Sequence, residues 1–120
     1  MADHLKYING YRKKIKKEKK ENEILFDKLN KKARKTAIHL GKKYKLEKVY
    51  LFGSLVNKNN FHKDSDIDLA VIGLDSKEYL DAWGELEKVL NHSFDLVQLE
   101  KANNSLKKII EEEGILLYES

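Results

Sequence analysis

Two aspartates at the start of an apolar run are the residues of this sequence best placed to do chemistry. Asp66 and Asp68 stand one residue apart at the beginning of the run D-I-D-L-A-V-I, which ends at Ile72. Because side chains alternate between the two faces of a strand, both carboxylates point to one side, while Ile67 and Leu69 point to the other. Neighbouring anions repel each other unless a cation lies between them. The pair therefore predicts a metal-binding site at the N-terminal end of a buried strand.

A third aspartate, Asp95, lies in the later apolar run F-D-L-V-Q-L. If that strand lies beside the first one, Asp95 can converge on Asp66 and Asp68. Three carboxylates without His or Cys form a hard oxygen site, which suits Mg²⁺ or Mn²⁺. Two such ions would activate an acceptor hydroxyl and stabilise a leaving pyrophosphate in an in-line displacement. We therefore predict that all three aspartates are metal ligands and catalytic residues.

The dipeptide Gly53-Ser54 ends the β-prone run V-Y-L-F that precedes the aspartates. A glycine at a strand end lets backbone N–H groups approach a phosphate closely, and the serine hydroxyl adds a further donor. The dipeptide Gly-Ser is common in turns and does not by itself indicate a phosphate site. It becomes informative here because a short loop connects it to the D-x-D strand. The alternative is a plain hairpin whose second strand happens to begin with acidic residues.

Other nucleotide and metal motifs are excluded. The sequence contains neither G-x-x-x-x-G-K-[ST] nor G-x-G-x-x-G. Asp64, Asp66 and Asp68 imitate the first ligands of an EF-hand, but Leu69 occupies the sixth loop position, where that motif requires glycine. A calcium loop is therefore not expected.

Hydrophobic periodicity indicates the elements that must position these residues. Segment 1–21 predicts a weak basic helix, and Asn22 is a plausible N-cap for a better helix that extends to Tyr44. Two further helices are predicted over 77–90 and 103–113, with Leu106, Ile109 and Ile110 facing inward in the second and Gly114 as its C′ residue. Strands are predicted from about residue 47 to 52 and over 66–72, 94–99 and 115–118.

The order of these elements predicts an α+β (α/β-like) fold with a small mixed sheet of three to four strands, flanked by helices that back it on one side. The helix between the second and third strands implies a crossover, which makes those two strands parallel. We divide the chain into a basic helical extension, residues 1–21, and a domain, residues 22–120.

Composition limits the classes of protein to consider. The 120 residues suffice for one domain with its own core, and the absence of cysteine fits a reducing compartment. There is no apolar run of membrane-spanning length and no signal-peptide core, so we expect a soluble, cytoplasmic protein. Residues 1–48 contain 17 Lys and Arg against 6 Asp and Glu, whereas the remainder contains 7 against 14.

The lysine run Arg12–Lys20 is interpreted as a solvated helix face. It lacks the aromatic and arginine residues that support base stacking and bidentate phosphate contacts, so a nucleic-acid partner is not expected. His39, between apolar neighbours, is interpreted as a surface or packing residue rather than a ligand. Trp83 is interpreted as a core or packing residue.

The stretch L-F-G-S…D-S-D-I-D-L-A-V resembles the signature of minimal nucleotidyltransferases (MNT proteins) of the DNA polymerase β superfamily. The later F-D-L-V-Q-L-E and I-I-E-E-E-G-I-L-L-Y-E are also similar to that family, so the resemblance spans about Lys48 to Glu119. It implies triphosphate binding by Gly53 and Ser54, and metal binding by the three aspartates, with Asp95 as a ligand or acceptor base. The loop after Ser54 lacks the family's Ala-Arg-Gly, and Lys58 or Lys63 is expected to supply the missing charge.

The resemblance also implies a function. Such proteins often act as antitoxins beside a HEPN-domain ribonuclease toxin, and some transfer AMP from ATP to a toxin tyrosine. The expected activity is therefore nucleotidyl transfer, with Mg²⁺ (two ions, or Mn²⁺) as cofactor and ATP as substrate, to a hydroxyl of a HEPN-type partner. The alternative is a subunit that neutralises the toxin by binding without turnover, and the sequence leaves a homo-oligomer open.

Overall fold

The computed structural model describes the backbone of residues 2–120 and side chains from Ile8 onward. Helical spacing in segment 1–21 predicts a thin apolar stripe over Leu5, Ile8, Arg12 and Ile15, and its first residue, Leu5, lies outside the described side chains. Three α-helices and four strands follow one another as α1 (Ala2–Lys43), β1 (Lys48–Phe52), β2 (Ile67–Ile72), α2 (Tyr79–Leu90), β3 (Phe94–Gln98), α3 (Asn104–Glu113) and β4 (Ile115–Glu119). Among the described residues, no helix combines the length and the apolar character needed to cross a membrane.

The strands form one mixed sheet in the order β3-β2-β1-β4. Strand β1 runs antiparallel to both β2 and β4, whereas β2 and β3 are parallel. Helix α2 supplies the crossover that a parallel pair requires. The predicted mixed sheet and its parallel pair are thus confirmed.

Both faces of the sheet are covered, which corrects the expectation that helices back it on one side only. Alternation along β2 directs Leu69 and Val71 into the main core, shared with α1 and α2, and Ala70 into a second core. That second core contains Ile110 of α3, packed with Tyr50 of β1. Helix α3 therefore lies on the sheet face opposite α1 and α2, and this face carries the functional residues described below.

Helix α1 is a single element of 42 residues, so the predicted helix start at Asn22 is wrong. The Asn22 side chain does not cap a helix; its amide donates a hydrogen bond of 2.9 Å to the carbonyl of Phe61. The surrounding residues are mainly Lys and Glu, which are strong helix formers, and the chain contains no proline to stop the helix. The division into residues 1–21 and 22–120 stays a prediction.

The two halves of α1 have different surroundings. In its second half, Leu29, Ala33, Ala37 and Leu40 are buried in the main core. In contrast, every residue of 8–20 is exposed, and we call this segment the arm. Helix α1 thus extends past the globular body, and the described molecule measures 66 × 30 × 20 Å.

The end of α3 differs from the prediction in its backbone. Gly114 caps the helix with φ −69°, not in the left-handed region. Glycine is required there by close approach, because a Cβ atom would collide with the carbonyl oxygen of Ile110. The contact lets the chain turn directly from α3 into β4.

Candidate active site

Two of the predicted metal ligands lie side by side on adjacent strands. In the parallel register of β2 and β3, Asp68 is the partner of Asp95. On its other side Asp68 is paired with Phe52 at the end of β1. The three residues form a row across the sheet on the face that α3 covers in part. We call the two aspartates of this row, Asp68 and Asp95, the carboxylate row. Asp66 lies immediately before β2 and is exposed.

The electrostatics of the row are those of anions without a counter-charge. Burial, together with the neighbouring charges of Asp66 and Asp95, raises the pKa of Asp68 to about 6. None of the ion pairs formed by the described side chains involves any of the three aspartates. A bound cation would relieve this repulsion.

Gly53 places the predicted phosphate-binding turn directly against the carboxylates. Its φ of +76° lies in the left-handed region, which glycine adopts without strain. A Cβ at this position would overlap the carboxylate of Asp68. Only glycine therefore allows the turn to approach Asp68 so closely, and partly exposed Ser54 follows it in a single turn of 3-10 helix, Gly53–Val56.

The Gly-Ser turn opens onto a cleft of about 320 Å³ between the end of β1 and α3. The cleft is lined by residues of β1, the following loop and α3, namely Phe52, Gly53, Ser54, Val56, Asn60, Ile109 and Glu113. The prediction that Ile109 faces inward is wrong, because 49% of this residue is exposed. Asn60, Ile109 and Glu113 were not identified from the sequence, in which nothing links α3 to the Gly-Ser turn.

The two loop lysines do not line this cleft. The Lys58 ammonium lies 3.7 Å from the Asp27 carboxylate of α1 and 5.7 Å from the centre of the Phe26 ring. Lys63 lies beside α1, in the wall of a different pocket. Nucleotide binding by Lys58 therefore stays a prediction, and it requires the side chain to leave Asp27.

The carboxylates at this site are suited to a divalent cation whose remaining ligands come from a bound substrate and water. No three His, Asp or Glu side chains among residues 8–120 converge closely enough to hold a metal ion by themselves. Mg²⁺ is commonly held by one or two carboxylates, with water and phosphate oxygens completing its shell. Asp68 and Asp95 are paired across the strands beside the predicted phosphate-binding turn, and this arrangement is compatible with that mode of binding.

The fold and the site together define a class: a small α+β domain with a carboxylate row and a Gly-Ser turn at one end of a mixed sheet. Residues 34–120 match the model of the family described as Polymerase beta, Nucleotidyltransferase, and the chain belongs to this family. This confirms the resemblance to the superfamily that the sequence motifs indicated.

The chain is also similar to individual members of this family. The protein adenylyltransferase MntA of Shewanella oneidensis is 34% identical over 77 residues, which are 62% of this chain and 55% of MntA. The match thus spans about half the length of that curated relative.

Solved structures agree with the fold. A crystal structure of a toxin-antitoxin with AMP-PNP matches with a TM-score of 0.61 at 30% identity, covering 72% of this chain and 73% of the other. The toxin-antitoxin MntA-HepT matches with a TM-score of 0.56 at 28% identity, covering 73% and 71%.

Proposed function

We propose that this protein is a metal-dependent nucleotidyltransferase that transfers AMP from ATP to a hydroxyl of a partner protein, a HEPN-type toxin. The observation that carries this proposal is the Asp95–Asp68 pair with Gly53 packed directly on Asp68. The oxygens proposed to bind metal and the donors proposed to bind phosphate are thereby adjacent. The adenylyltransferase name of the MntA relative and the AMP-PNP of a solved relative support ATP as the substrate.

The chain's own residues supply the following chemistry. Asp66, Asp68 and Asp95 would hold Mg²⁺ or Mn²⁺, which when bound neutralises phosphate charge and favours ionisation of the acceptor hydroxyl. Backbone N–H groups at Gly53 and the Ser54 hydroxyl donate to phosphate oxygens. Asp95, exposed at the end of the row, accepts the proton of the incoming hydroxyl.

The transfer balances as one displacement. The acceptor oxygen forms a bond to the α-phosphorus while the bond from that phosphorus to the bridging oxygen breaks. Pyrophosphate departs with the bonding electron pair, and the proton of the hydroxyl passes to Asp95. Asp95 is exposed on the edge strand β3, which suits an acceptor presented on a protein surface rather than a small molecule enclosed in a cavity.

A second function, toxin neutralisation by binding without turnover, is favoured by one observation. Lys58 pairs with Asp27, and neither Lys58 nor Lys63 lines the cleft. Neither lysine is therefore positioned to bind a triphosphate there. Both functions place the protein beside a toxin, as in the solved toxin-antitoxin relatives. We further propose a cytoplasmic protein whose transferase domain is 22–120 and whose extension is 1–21; the family match beginning at residue 34 supports a domain in the later part of the chain.

Label transfer separates the two functions. The protein and its HEPN-type partner are incubated with α-labelled ATP and Mg²⁺, and label on the partner is measured. We expect transfer by the wild type and by the Asp64→Asn control, since Asp64 is exposed and lies outside the row. The double variant Asp66→Asn, Asp68→Asn is expected to transfer none. Absence of label with the wild type, together with unimpaired neutralisation by the double variant, would establish the binding function instead.

A further inference from the structure

The arm, residues 8–20, carries large apolar side chains that the described structure leaves uncovered. Ile8, Tyr11 and Ile15 are 43%, 65% and 46% exposed. They recur at spacings of three and four, so they form one stripe along the helix. Leaving three such side chains in water opposes the hydrophobic effect and is typical of an interaction surface.

This stripe continues the face of α1 that enters the core. Counting onward at helical spacing from Ile15 leads through two polar residues, Glu18 and Asn22, to Leu25 and Leu29, which pack in the main core. The apolar side of the arm therefore faces the side on which the globular body lies. Between them is a notch of about 670 Å³, with Ile15 and Leu25 on one wall and His62 and Lys63 on the other.

Charge distinguishes between occupants of this surface. The arm contains seven Lys and Arg residues and one acidic residue, Glu18. Arg12, Lys16 and Lys19 follow one border of the stripe at spacings of four and three. Glu18 and Glu21 line the notch together with Lys19 and Lys63, so the excess of positive charge lies along the arm rather than inside the notch.

Two other occupants fit less well. The arm of a second copy would bring the same positive charge against this one, and like charges repel. A nucleic-acid backbone would satisfy the lysines but would leave Ile8, Tyr11 and Ile15 in water. An acidic amphipathic helix satisfies both the stripe and its border.

We propose that the arm and the notch bind an amphipathic helix of a partner protein whose apolar face is bordered by carboxylates. Its apolar residues cover Ile8, Tyr11 and Ile15, and its carboxylates lie beside Arg12, Lys16 and Lys19. A straight helical arm of 13 residues extends about 20 Å, which is the length over which a partner helix of similar size packs. This docking surface is separate from the carboxylate row and does not depend on nucleotidyl transfer.

The test measures binding of a designed helix to the full-length protein. The probe is a fluorescent peptide of about three heptads with Leu at positions a and d and Glu at positions e and g, and its counterpart carries Lys at e and g. We expect the acidic peptide to bind and the basic one not to bind. Ile15→Glu should weaken binding about tenfold, since it removes a central apolar contact.

Ile24→Glu is the matched control, because Ile24 is 61% exposed on the opposite face of the same helix. We expect it to change affinity by less than about twofold. If circular dichroism shows that Ile15→Glu loses helix, Ile15→Ala removes the contact while favouring the helix, and it should still weaken binding severalfold.

Three outcomes would overturn the proposal. Equal losses in Ile15→Glu and Ile24→Glu would exclude a specific stripe. A labelled single-stranded RNA that binds more tightly than the peptide, and that is unaffected by Ile15→Glu, would assign the arm to nucleic acid. A wild-type dimer in ultracentrifugation that Ile15→Glu dissociates would assign the stripe to a second copy.

Discussion

Carboxylates occupy opposite electrostatic settings in two regions of this molecule. Between α1 and α2, Glu85 accepts from Lys43 at 2.9 Å and interacts with His39 at 2.8 Å. The hydrogen bonds from Lys43 and His39 lower the pKa of Glu85. At the carboxylate row, burial and two neighbouring aspartates raise the pKa of Asp68 to about 6.

Scarcity of cations does not explain this difference. The chain contains 24 Lys and Arg residues, and Lys58, on the loop between the Gly-Ser turn and the row, pairs with Asp27 of α1. The α1–α2 contact pairs its charges within the chain, whereas no described Lys, Arg or His side chain forms an ion pair with the aspartates of the row, and the proposed metal ion would balance their charge. An unpaired acidic cluster beside the proposed phosphate-binding turn therefore indicates a functional site more strongly than the residue composition of the cluster does.

The largest expected effect comes from neutralising the unpaired cluster. Asp68→Asn should reduce label transfer by roughly 10²–10³-fold, because the proposed metal site loses its central ligand. The same change should stabilise the metal-free fold at pH 8, since it removes repulsion with Asp66 and Asp95. Initial rates and urea midpoints measure the two quantities. A lower midpoint at pH 8 would show that the row is a structural cluster like the one at Glu85.

The next effect is a pH dependence of stability that originates in Asp68. Its pKa is about 6 in the folded state and near 3.8 ordinarily, so the folded protein holds this proton more tightly. The contribution is fully present below about pH 4 and is lost as pH rises through about 6. Urea midpoints from pH 4 to 7 should fall more steeply in the wild type than in Asp68→Asn. Parallel curves would show that Asp68 titrates normally.

Activity should have the opposite pH dependence in the same range. Metal binding requires the ionised carboxylate, so label transfer should decrease as pH falls below about 6. The decrease should be measured at limiting Mg²⁺, and saturating Mg²⁺ should shift it to lower pH, because the metal and the proton compete for the same carboxylate. A rate that does not change between pH 5 and 8 would exclude Asp68 as a group that must be ionised.

A matched pair of glycine substitutions tests the contact between the turn and the row. Gly53→Ala should destabilise the fold by about 1–3 kcal/mol, because the added methyl needs an unfavourable φ and overlaps Asp68. Gly84→Ala in α2 is the control, since a methyl group added there would meet no neighbouring element within 4 Å, and it should stabilise by about 0.5–1 kcal/mol. Thermal unfolding of both variants measures the difference, and equal effects would argue against the close approach.

The smallest expected effect lies at the paired cluster. Glu85→Gln should lower the urea midpoint only slightly at pH 7, because exposed ion pairs contribute little to stability. The lowered pKa of Glu85 means that its contribution is present at neutral pH and is lost as pH falls through that pKa. The small difference from wild type should therefore disappear in acid. A large loss would mean that this contact holds α1 and α2 together.

The sequence was most informative where a local pattern determines long-range geometry. The crossover helix α2 predicted that β2 and β3 are parallel, and their register places Asp95 beside Asp68. Local patterns could not determine the path of the loop after Ser54. Asn22 donates to the carbonyl of Phe61, and Asn30 donates to that of Leu55. These contacts hold the loop against α1 across 39 and 25 residues of sequence.

Two further errors concern helices: one is the position of a helix start, and the other is the orientation of a residue on its helix. The Lys and Glu residues around Asn22 are compatible both with a helix that continues and with one that starts there. A helix start was therefore predicted at Asn22, although α1 continues through it. Ile109 and Ile110 are adjacent and lie about 100° apart around the helix, so a contact along one narrow face buries Ile110 and leaves Ile109 at its border. Ile110 is buried, and Ile109 forms part of the cleft wall.

The unbroken course of α1 also has a consequence for how the arm becomes ordered. Starting a helix is costly, whereas extending one by a residue is nearly neutral, and an isolated helix of 13 residues is only marginally stable. The buried half of α1 therefore acts as the nucleus from which the arm propagates. Amide hydrogen exchange should show protection that declines steadily from Asn22 toward Ile8, and a partner bound along the arm would abolish that gradient.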